Sequence, residues 1–473
     1  MQTSTQTPPP LSPSPARPRP PGPSPLPGVG HLPELIRFGL VGALERNFKR
    51  YGDIFRLKLR GEDLYVVSNP ELAETVLVNR GAQFPKKEDG NLNLVMGNGL
   101  VTNSDHASWL SQRRMIQPMF HRARLSSMAQ KMEEAVERLL ERLSQRVGES
   151  VDTEFEMMRV TLDIITRTLF SADVSSQAGQ VGYAVDNAFH FAQKRIESPF
   201  EIPLEWPLPA HTRFLRSRKQ LHAIVMHLIE TRRSSEEKHD DLLDMLLEAQ
   251  DETTGERMND VQLRDEVLTL FAAGHETTAH TLSFALYALA RNPTVRMRLE
   301  QEVDAVLEGT TARVSDLERL PYTRAVLDEC MRLYPAAPNL VPRAVSTEFE
   351  LGGYSLKAPS SIMVSIFNIH RNPDFWPNPT RFDPERFLDG NKSTHRLAFM
   401  PFGAGARKCI GNNLAVMEGQ LILATLAQRF RFSLERPDTA PPVLEQSITL
   451  RPKGGMRLRL DPRATHFFSS PCL

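Results

Sequence analysis

The chain has 473 residues, and its 57 Lys and Arg balance 57 Asp and Glu, so its formal net charge is zero. That balance excludes a chain-wide pull toward nucleic acid or acidic membranes. Three cysteines, Cys330, Cys409 and Cys472, are too few for a disulfide framework, and no apolar run reaches the roughly 18 residues of a membrane-crossing helix. A reducing, cytoplasmic setting is therefore expected.

Eleven of the 36 prolines fall in residues 1–30, where PPPLSPSPARPRPPGPSPLPG carries no acid and little apolar surface. Such a composition predicts an extended, disordered leader. Residues 31–473 show no composition break, repeat or long Gly/Ser linker, so one large domain is expected there. In chain order, alternation predicts short strands at Ile54–Leu59 and Leu64–Ser68. Helical periodicity follows at His106–Gln117, Met128–Arg146, Leu221–Arg233, Val261–Arg291, Pro293–Leu307 and Tyr322–Tyr334. The charged run Ser234–Asp241 reads as a solvated loop. A hairpin turning at Gly352-Gly353 within Phe349–Leu356, a strand at Ile362–Ile366 and an apolar helix at Asn412–Phe430 complete the pattern. The fold class is mainly α (α+β), a large helical domain with small antiparallel sheets.

Just before the last helix stands Phe402-Gly403-Ala404-Gly405-Ala406-Arg407-Lys408-Cys409-Ile410-Gly411. A thiol at a helix N-terminus meets unpaired N–H donors and positive partial charge, which favour the thiolate. Gly405 and Gly411 allow conformations or close approaches that a Cβ forbids, and Arg407 can reach an anion. Physics alone gives a thiolate able to act as nucleophile or metal ligand. The segment resembles the Phe-x-x-Gly-x-Arg-x-Cys-x-Gly signature of the cytochrome P-450 family of haem-thiolate monooxygenases, in soluble bacterial form. The resemblance covers roughly residues 31–460. It implies haem b with Cys409 as axial ligand, Phe402 and Gly411 beside the thiolate, and Arg407 on a haem propionate.

Other segments take on meaning from that resemblance. Glu-x-x-Arg occurs at Glu34/Arg37, Glu156/Arg159, Glu230/Arg233 and Glu329/Arg332, and three of the four read as ordinary i,i+3 helix pairs. Only Glu329/Arg332 lies in an apolar helix 80 residues before Cys409 (409 − 329 = 80). The family pairs that motif with a later arginine, here Arg386, as a buried structural cluster. Ala273-Gly274-His275-Glu276-Thr277-Thr278 sets an acid and alcohols inside an apolar helix, which argues for a polar pocket. Thr277 can bond back to the carbonyl of Ala273, opening the helix and admitting water. The run resembles the family's oxygen-binding motif, with Thr277 and Glu276 relaying protons. His275 and His280 are five apart rather than four, which turns them roughly 140° from each other on a helix and rejects a zinc-protease reading.

Trp109 and Arg113 share a helix face. Simple packing of the ring on the arginine stem explains that spacing equally well; the resemblance makes both, with Arg343, haem-propionate ligands. It also implies a substrate pocket from Leu100, Val101, Ala272, Ala273, Ala337 and Leu340, which suits a fatty acid or a terpenoid. The likeness of the two motifs to bacterial fatty-acid hydroxylases inclines the reading toward lipids. No reductase module is evident, so electrons are expected from NAD(P)H through a separate ferredoxin or flavodoxin and its reductase. Such a donor would dock on Arg114, Arg122, Arg124 and Lys408. A monomer with O2 and a hydrophobic small molecule as co-substrates, and no nucleic-acid partner, is expected. A peroxygenase, an isomerase or a non-catalytic haem sensor or carrier are the alternatives. Cys330 and Cys472 read as bystanders.

Overall fold

The computed structural model describes residues 17–88, 90–171, 178–198, 202–239, 241–251, 255–388, 395–436, 440–446 and 448–463. The helices are α1 (Leu32–Tyr51), α2 (Pro70–Glu74), α3 (Gly90–Met96), α4 (His106–Ile116), α5 (Arg122–Ser127), α6 (Ala129–Ser144), α7 (Thr153–Phe170), α8 (Ala178–Glu197), α9 (Pro209–Ser234), α10 (Leu242–Glu248), α11 (Asp260–Arg291), α12 (Pro293–Leu307), α13 (Pro321–Leu333), α14 (Ile366–Ile369) and α15 (Asn412–Arg429). The strands are β1 (Ile54–Leu59), β2 (Glu62–Val67), β3 (Ser150–Asp152), β4 (Arg343–Val345), β5 (Phe349–Leu351), β6 (Tyr354–Leu356), β7 (Ser360–Val364), β8 (Phe430–Ser433), β9 (Leu444–Gln446), β10 (Leu450–Pro452) and β11 (Arg457–Pro462). No helix among the described residues is long and apolar enough to cross a membrane.

Helix starts follow local chemistry. Asn259 accepts from the Gln262 N–H while the Gln262 side chain accepts from the Asn259 N–H, so a capping box opens α11. Asp152 caps α7, and α12 and α13 each begin on a proline, whose missing N–H costs nothing there. The expected helix at Leu221–Arg233 is the second half of α9, which begins twelve residues earlier at Pro209.

Helix α11 is the axis of the fold, packing on α7, α9, α13 and α15. It packs tightly on α7 at Gly274, where a Cβ would lie 2.7 Å from Ile165 Cδ1. One core cluster joins these helices, and a second lies between the sheet β1-β2-β7-β4 and the thiol loop. Strands pair antiparallel throughout except β2 with β7, which run parallel from Leu64↔Ser361 to Val67↔Val364. Nearly 300 residues separate those two strands, so no tight turn dictates their direction.

The proline-rich segment does not stay apart from the fold up to residue 30. Pro21 O accepts from Arg56 N at 2.8 Å, Pro18 O from Ser355 N at 3.0 Å, and Pro23 O lies 3.1 Å from His31 Nε2. Prolines offer carbonyls without N–H groups, which suits a strap laid along the edge of β1. Residues 1–16 of the expected leader, and Cys472, lie outside the described residues.

Candidate active site

The thiol loop hangs from the end of a short 3-10 turn and closes on α15. Cys409 N donates to Phe402 O at 2.9 Å and Lys408 N to Gly405 O at 3.1 Å, folding the loop on itself. Gly403 and Gly405 have positive φ (68° and 73°), and a Cβ on Gly405 would lie 2.0 Å from Leu77 O. Gly411 differs from the sequence expectation: its φ of −86° is open to any residue. It caps α15, and its backbone N–H bonds the thiol. Cys409 is open to solvent through the cavity it lines, while the protein packed around it pushes its thiol up against the lowering by the Gly411 N–H, Arg113 and Lys408.

Cys409 opens onto an internal cavity of about 360 Å³ bounded by α7, α11, α13 and α15, residues 336–343 and the thiol loop. Trp109, Arg113, Arg343, Phe402, Arg407 and Gly411 all line it. Trp109 is buried on α4, with His106 stacked at 5.7 Å, Arg407 Cζ 4.2 Å from its ring centroid and Arg113 Cζ at 5.7 Å. Arg113 Nη1 donates to Lys408 O at 2.9 Å, Arg407 Nη1 to Asn103 O at 2.8 Å, and Arg343 Nη1 to Phe84 O at 3.3 Å. Among the described residues none of these guanidiniums has a carboxylate partner. Burial, then Arg343 and Arg113, bring Arg407 down to about 10, and burial lowers Arg113 and Arg343 too. A converging set of half-buried cations is unfavourable unless an anion joins it.

Helix α11 forms the opposite wall. Thr277 Oγ1 donates to Ala273 O at 2.8 Å, Thr278 Oγ1 to Gly274 O at 3.4 Å, and Thr281 Oγ1 to Thr277 O at 2.9 Å, while Thr161 of α7 donates to His275 O at 3.0 Å. The helix remains continuous through this run, so the hydroxyls decorate it without opening it. Thr277 and Ala273 line the cavity; Glu276 is buried behind them and does not. His275 Nδ1 lies 2.8 Å from Phe271 O, whereas His280 lies between Glu154 (3.0 Å) and Thr449 (3.2 Å). The two histidines therefore serve different partners.

Of the expected pocket, Leu100, Val101, Ala273, Ala337 and Leu340 line the cavity. Ala272 does not: one residue is about 100° of helix rotation, which turns its methyl into the core. Sequence reasoning also missed Lys86, Phe120, Thr269 and Glu418 in the wall. Glu418 is an acid inside an apolar helix, a signal that was legible. Among the described residues neither of its carboxyl oxygens has a hydrogen-bond partner, and burial holds it well above the carboxylate range.

Glu329 and Arg332 are fully buried on α13. Arg332 donates twice to Glu329 (2.6 and 2.8 Å) and to His370 O, Pro379 O and Arg381 O at 2.7, 2.7 and 3.1 Å. Asp383 N reaches Glu329 at 2.8 Å, and Arg386 Nε stands at ion-pair distance, 3.6 Å. The other three Glu-x-x-Arg sequences are not simple i,i+3 pairs: Glu34 accepts from Asn47, Glu156 from Arg146, and Arg233 turns to Asp260.

On the outer side of the thiol loop lies a groove of about 1240 Å³. Pro401, Phe402, Gly403, Ala404 and Lys408 border both groove and cavity, so the loop is the wall between them. Lys408 and Arg124 are exposed, but Arg114 is held by buried Asp251 at 2.8 Å and is not a free docking charge. The side chain of Arg122 lies outside the described set. Cys330 is buried, its thiol donating to Thr281 O at 3.2 Å.

The family model described as Cytochrome P450 matches residues 20–459. The chain is 36% identical over 396 residues to cyclooctat-9-en-7-ol 5-monooxygenase of Streptomyces melanosporofaciens, covering 80% of this chain and 83% of that protein. It is 32% identical over 448 residues to pentalenene oxygenase of Streptomyces avermitilis, covering 93% and 96%. The crystal structure of cytochrome P450DA heme domain superposes with a TM-score of 0.86 at 28% identity, covering 95% of this chain and 98% of that one.

Proposed function

The chain belongs to the cytochrome P450 family and is a haem-dependent monooxygenase, and from that premise we propose that Cys409 is the axial ligand and a cyclic terpenoid the substrate. The observation that carries the ligand assignment is the cavity's donor set: one thiol with three guanidiniums that lack carboxylates. That set fits haem, whose metal takes a thiolate and whose two carboxylates are matched by Arg113, Arg343 and Arg407, two of which lie over the Trp109 ring. When bound, haem supplies the iron at which O2 is activated and one oxygen atom is transferred to carbon.

The protein's own contribution is placement and protons. Thr277 Oγ1 keeps a hydroxyl proton at the cavity wall, parked on Ala273 O, and Glu276 behind it is the acid that resupplies Thr277. Leu100, Leu270, Ala273, Leu327, Ala337 and Leu340 exclude water and hold an apolar substrate by contact. Of the lining cations, Arg113, Arg343, Arg407 and Lys408 gather around the thiol loop, and the Lys86 ammonium is taken up by Val101 O. No cation is left on the α7 and α11 walls to anchor a fatty-acid carboxylate. This favours a cyclic hydrocarbon or alcohol, the kind of molecule named for the two relatives above. Electrons would enter from a ferredoxin or flavodoxin at the groove over the thiol loop, with Lys408 in its wall and the exposed Arg124 as docking charges.

The test supplies holoenzyme with ferredoxin, its reductase and NADPH, and offers pentalenene, cyclic terpenoid alcohols and palmitate. Singly oxygenated terpenoid products are expected; product from palmitate alone overturns the substrate class. Cys409→Ser should lose the thiolate-type absorption of the reduced, CO-bound state, and its retention would overturn the ligand assignment.

A further inference from the structure

The loop that carries Leu100 and Val101 into the cavity is not held by its own hydrogen bonds alone. Asn98 N donates to Asp265 Oδ2 at 2.8 Å and Leu100 N to Glu266 Oε2 at 2.9 Å. Both acids sit on α11, where Arg264 binds the other oxygen of Asp265 at 2.7 Å. Two glycines make this approach possible. A Cβ on Gly97 would lie 2.1 Å from the Asp265 carboxylate, and one on Gly99 would lie 2.1 Å from Thr269 Oγ1 and 2.6 Å from Asp265 O. Gly99 is not at positive φ, so space alone demands glycine there. Thr269 is one helical turn beyond Glu266 and lines the cavity. The same stretch is also held from α4, where Gln112 Nε2 donates to Asn98 O at 2.9 Å, and the far end of the loop is fixed by Arg407 Nη1 donating to Asn103 O at 2.8 Å.

We propose that Asp265 and Glu266 are positioning residues for site-selective oxidation: they clamp the Asn98–Leu100 main chain to α11 and so set where Leu100 and Val101 press on the substrate. The inference rests on the monooxygenase reading above, but neither acid touches substrate or cofactor. Burial raises Glu266 to about 8, so near neutral pH it is a carboxylic acid whose free oxygen still accepts the Leu100 N–H. Glu266→Gln keeps that acceptor; Glu266→Ala removes it. Gly99→Ala attacks the same contact from the loop side and leaves both acids in place.

Two readouts on the holoenzyme need no turnover. Amide hydrogen exchange in residues 97–102 should accelerate on the order of tenfold in Glu266→Ala and in Gly99→Ala, and stay near wild type in Glu266→Gln. The dissociation constant of 4-phenylimidazole relative to imidazole, both read from the haem spectrum, should shift several-fold in the same two variants. Imidazole lacks the phenyl ring that distinguishes the two probes, so an overall loss of folding moves both azoles together whereas a change in the loop moves their ratio. Where Glu266→Ala yields no holoenzyme, Gly99→Ala carries the test. Unchanged exchange in 97–102 overturns the clamp; faster exchange with an unchanged azole ratio overturns its role in shaping the cavity. If the substrate panel gives no product while the azole ratio shifts, the proposed function fails and the clamp stands.

Discussion

Removing Arg332 is the most severe single perturbation that the site geometry predicts. The guanidinium makes five hydrogen bonds, two to Glu329 and three to main-chain carbonyls that belong to residues 370, 379 and 381. Its face also lies 5.0 Å from the Trp376 ring centroid. Arg332→Ala leaves Glu329 fully buried with one N–H, from Asp383, and with Arg386 at 3.6 Å. Breaking a buried pair costs about 3–5 kcal/mol, and each orphaned carbonyl adds on the order of 1 kcal/mol. The total is comparable to a whole domain's stability of about 5–15 kcal/mol. Arg332→Lys retains charge but only three donors, so two acceptors still go unmet. Arg386→Ala removes a longer contact and one bond to Asn378 O, and should cost about 1 kcal/mol. The assay is holoprotein yield from the CO-difference spectrum together with the urea midpoint. The expected order is wild type, then Arg386→Ala, then Arg332→Lys, with Arg332→Ala giving no holoprotein. An Arg332→Ala protein with wild-type yield and midpoint would refute the reasoning, because a buried carboxylate would then be stable without its counter-ion.

Two further outcomes are expected. Gly405→Ala should abolish holoprotein, since its Cβ meets an immovable backbone oxygen at 2.0 Å, whereas Gly403→Ala, with similar φ but 3.5 Å of clearance to Leu340, should cost only about 1–2 kcal/mol; equal holoprotein yields would contradict this. Glu266 supplies a pH test, because folding raises its value from 4.5 to about 8. The protonated form is the one folding favours, so its stabilisation is complete below pH 4.5 and is lost as pH rises toward 8. Between pH 5 and 8 the stability of wild type relative to Glu266→Gln should fall by on the order of 3 kcal/mol, and parallel pH profiles of the two proteins would contradict the assignment.

What could be read from the chain was what is local. The thiol loop, the Ala273–Thr278 run and Glu329/Arg332 each carry their chemistry within ten residues, and α11 and α12 begin or end at caps and prolines that announce them. Helix α7 went unread because thirteen of its eighteen residues are buried, leaving no polar face to mark a period. The front half of α9 failed for the opposite reason: its inward positions include His211 and Ser217, which look like surface. Ala272 and Ala273 are alike in sequence, and only the rotation of α11 against α7 decides which faces the cavity. Residues placed by distant chain, such as Lys86 against Arg343 or Gly99 against Thr269, leave no local signature at all.

The formal charge of zero acquires a different meaning once burial is included. It counts every carboxyl as ionised. Burial raises both Glu266 and Glu418, so the folded chain favours their neutral forms where the formal count has them ionised. Many other acids are spent on their own partners: Glu329 on Arg332, Asp265 on Arg264, Asp251 on Arg114. What is left over is positive, and part of it collects where Arg113, Arg343 and Arg407 converge without a carboxylate. The formal zero thus hides a local excess of positive charge at the cavity wall, where Arg113, Arg343 and Arg407 stand together.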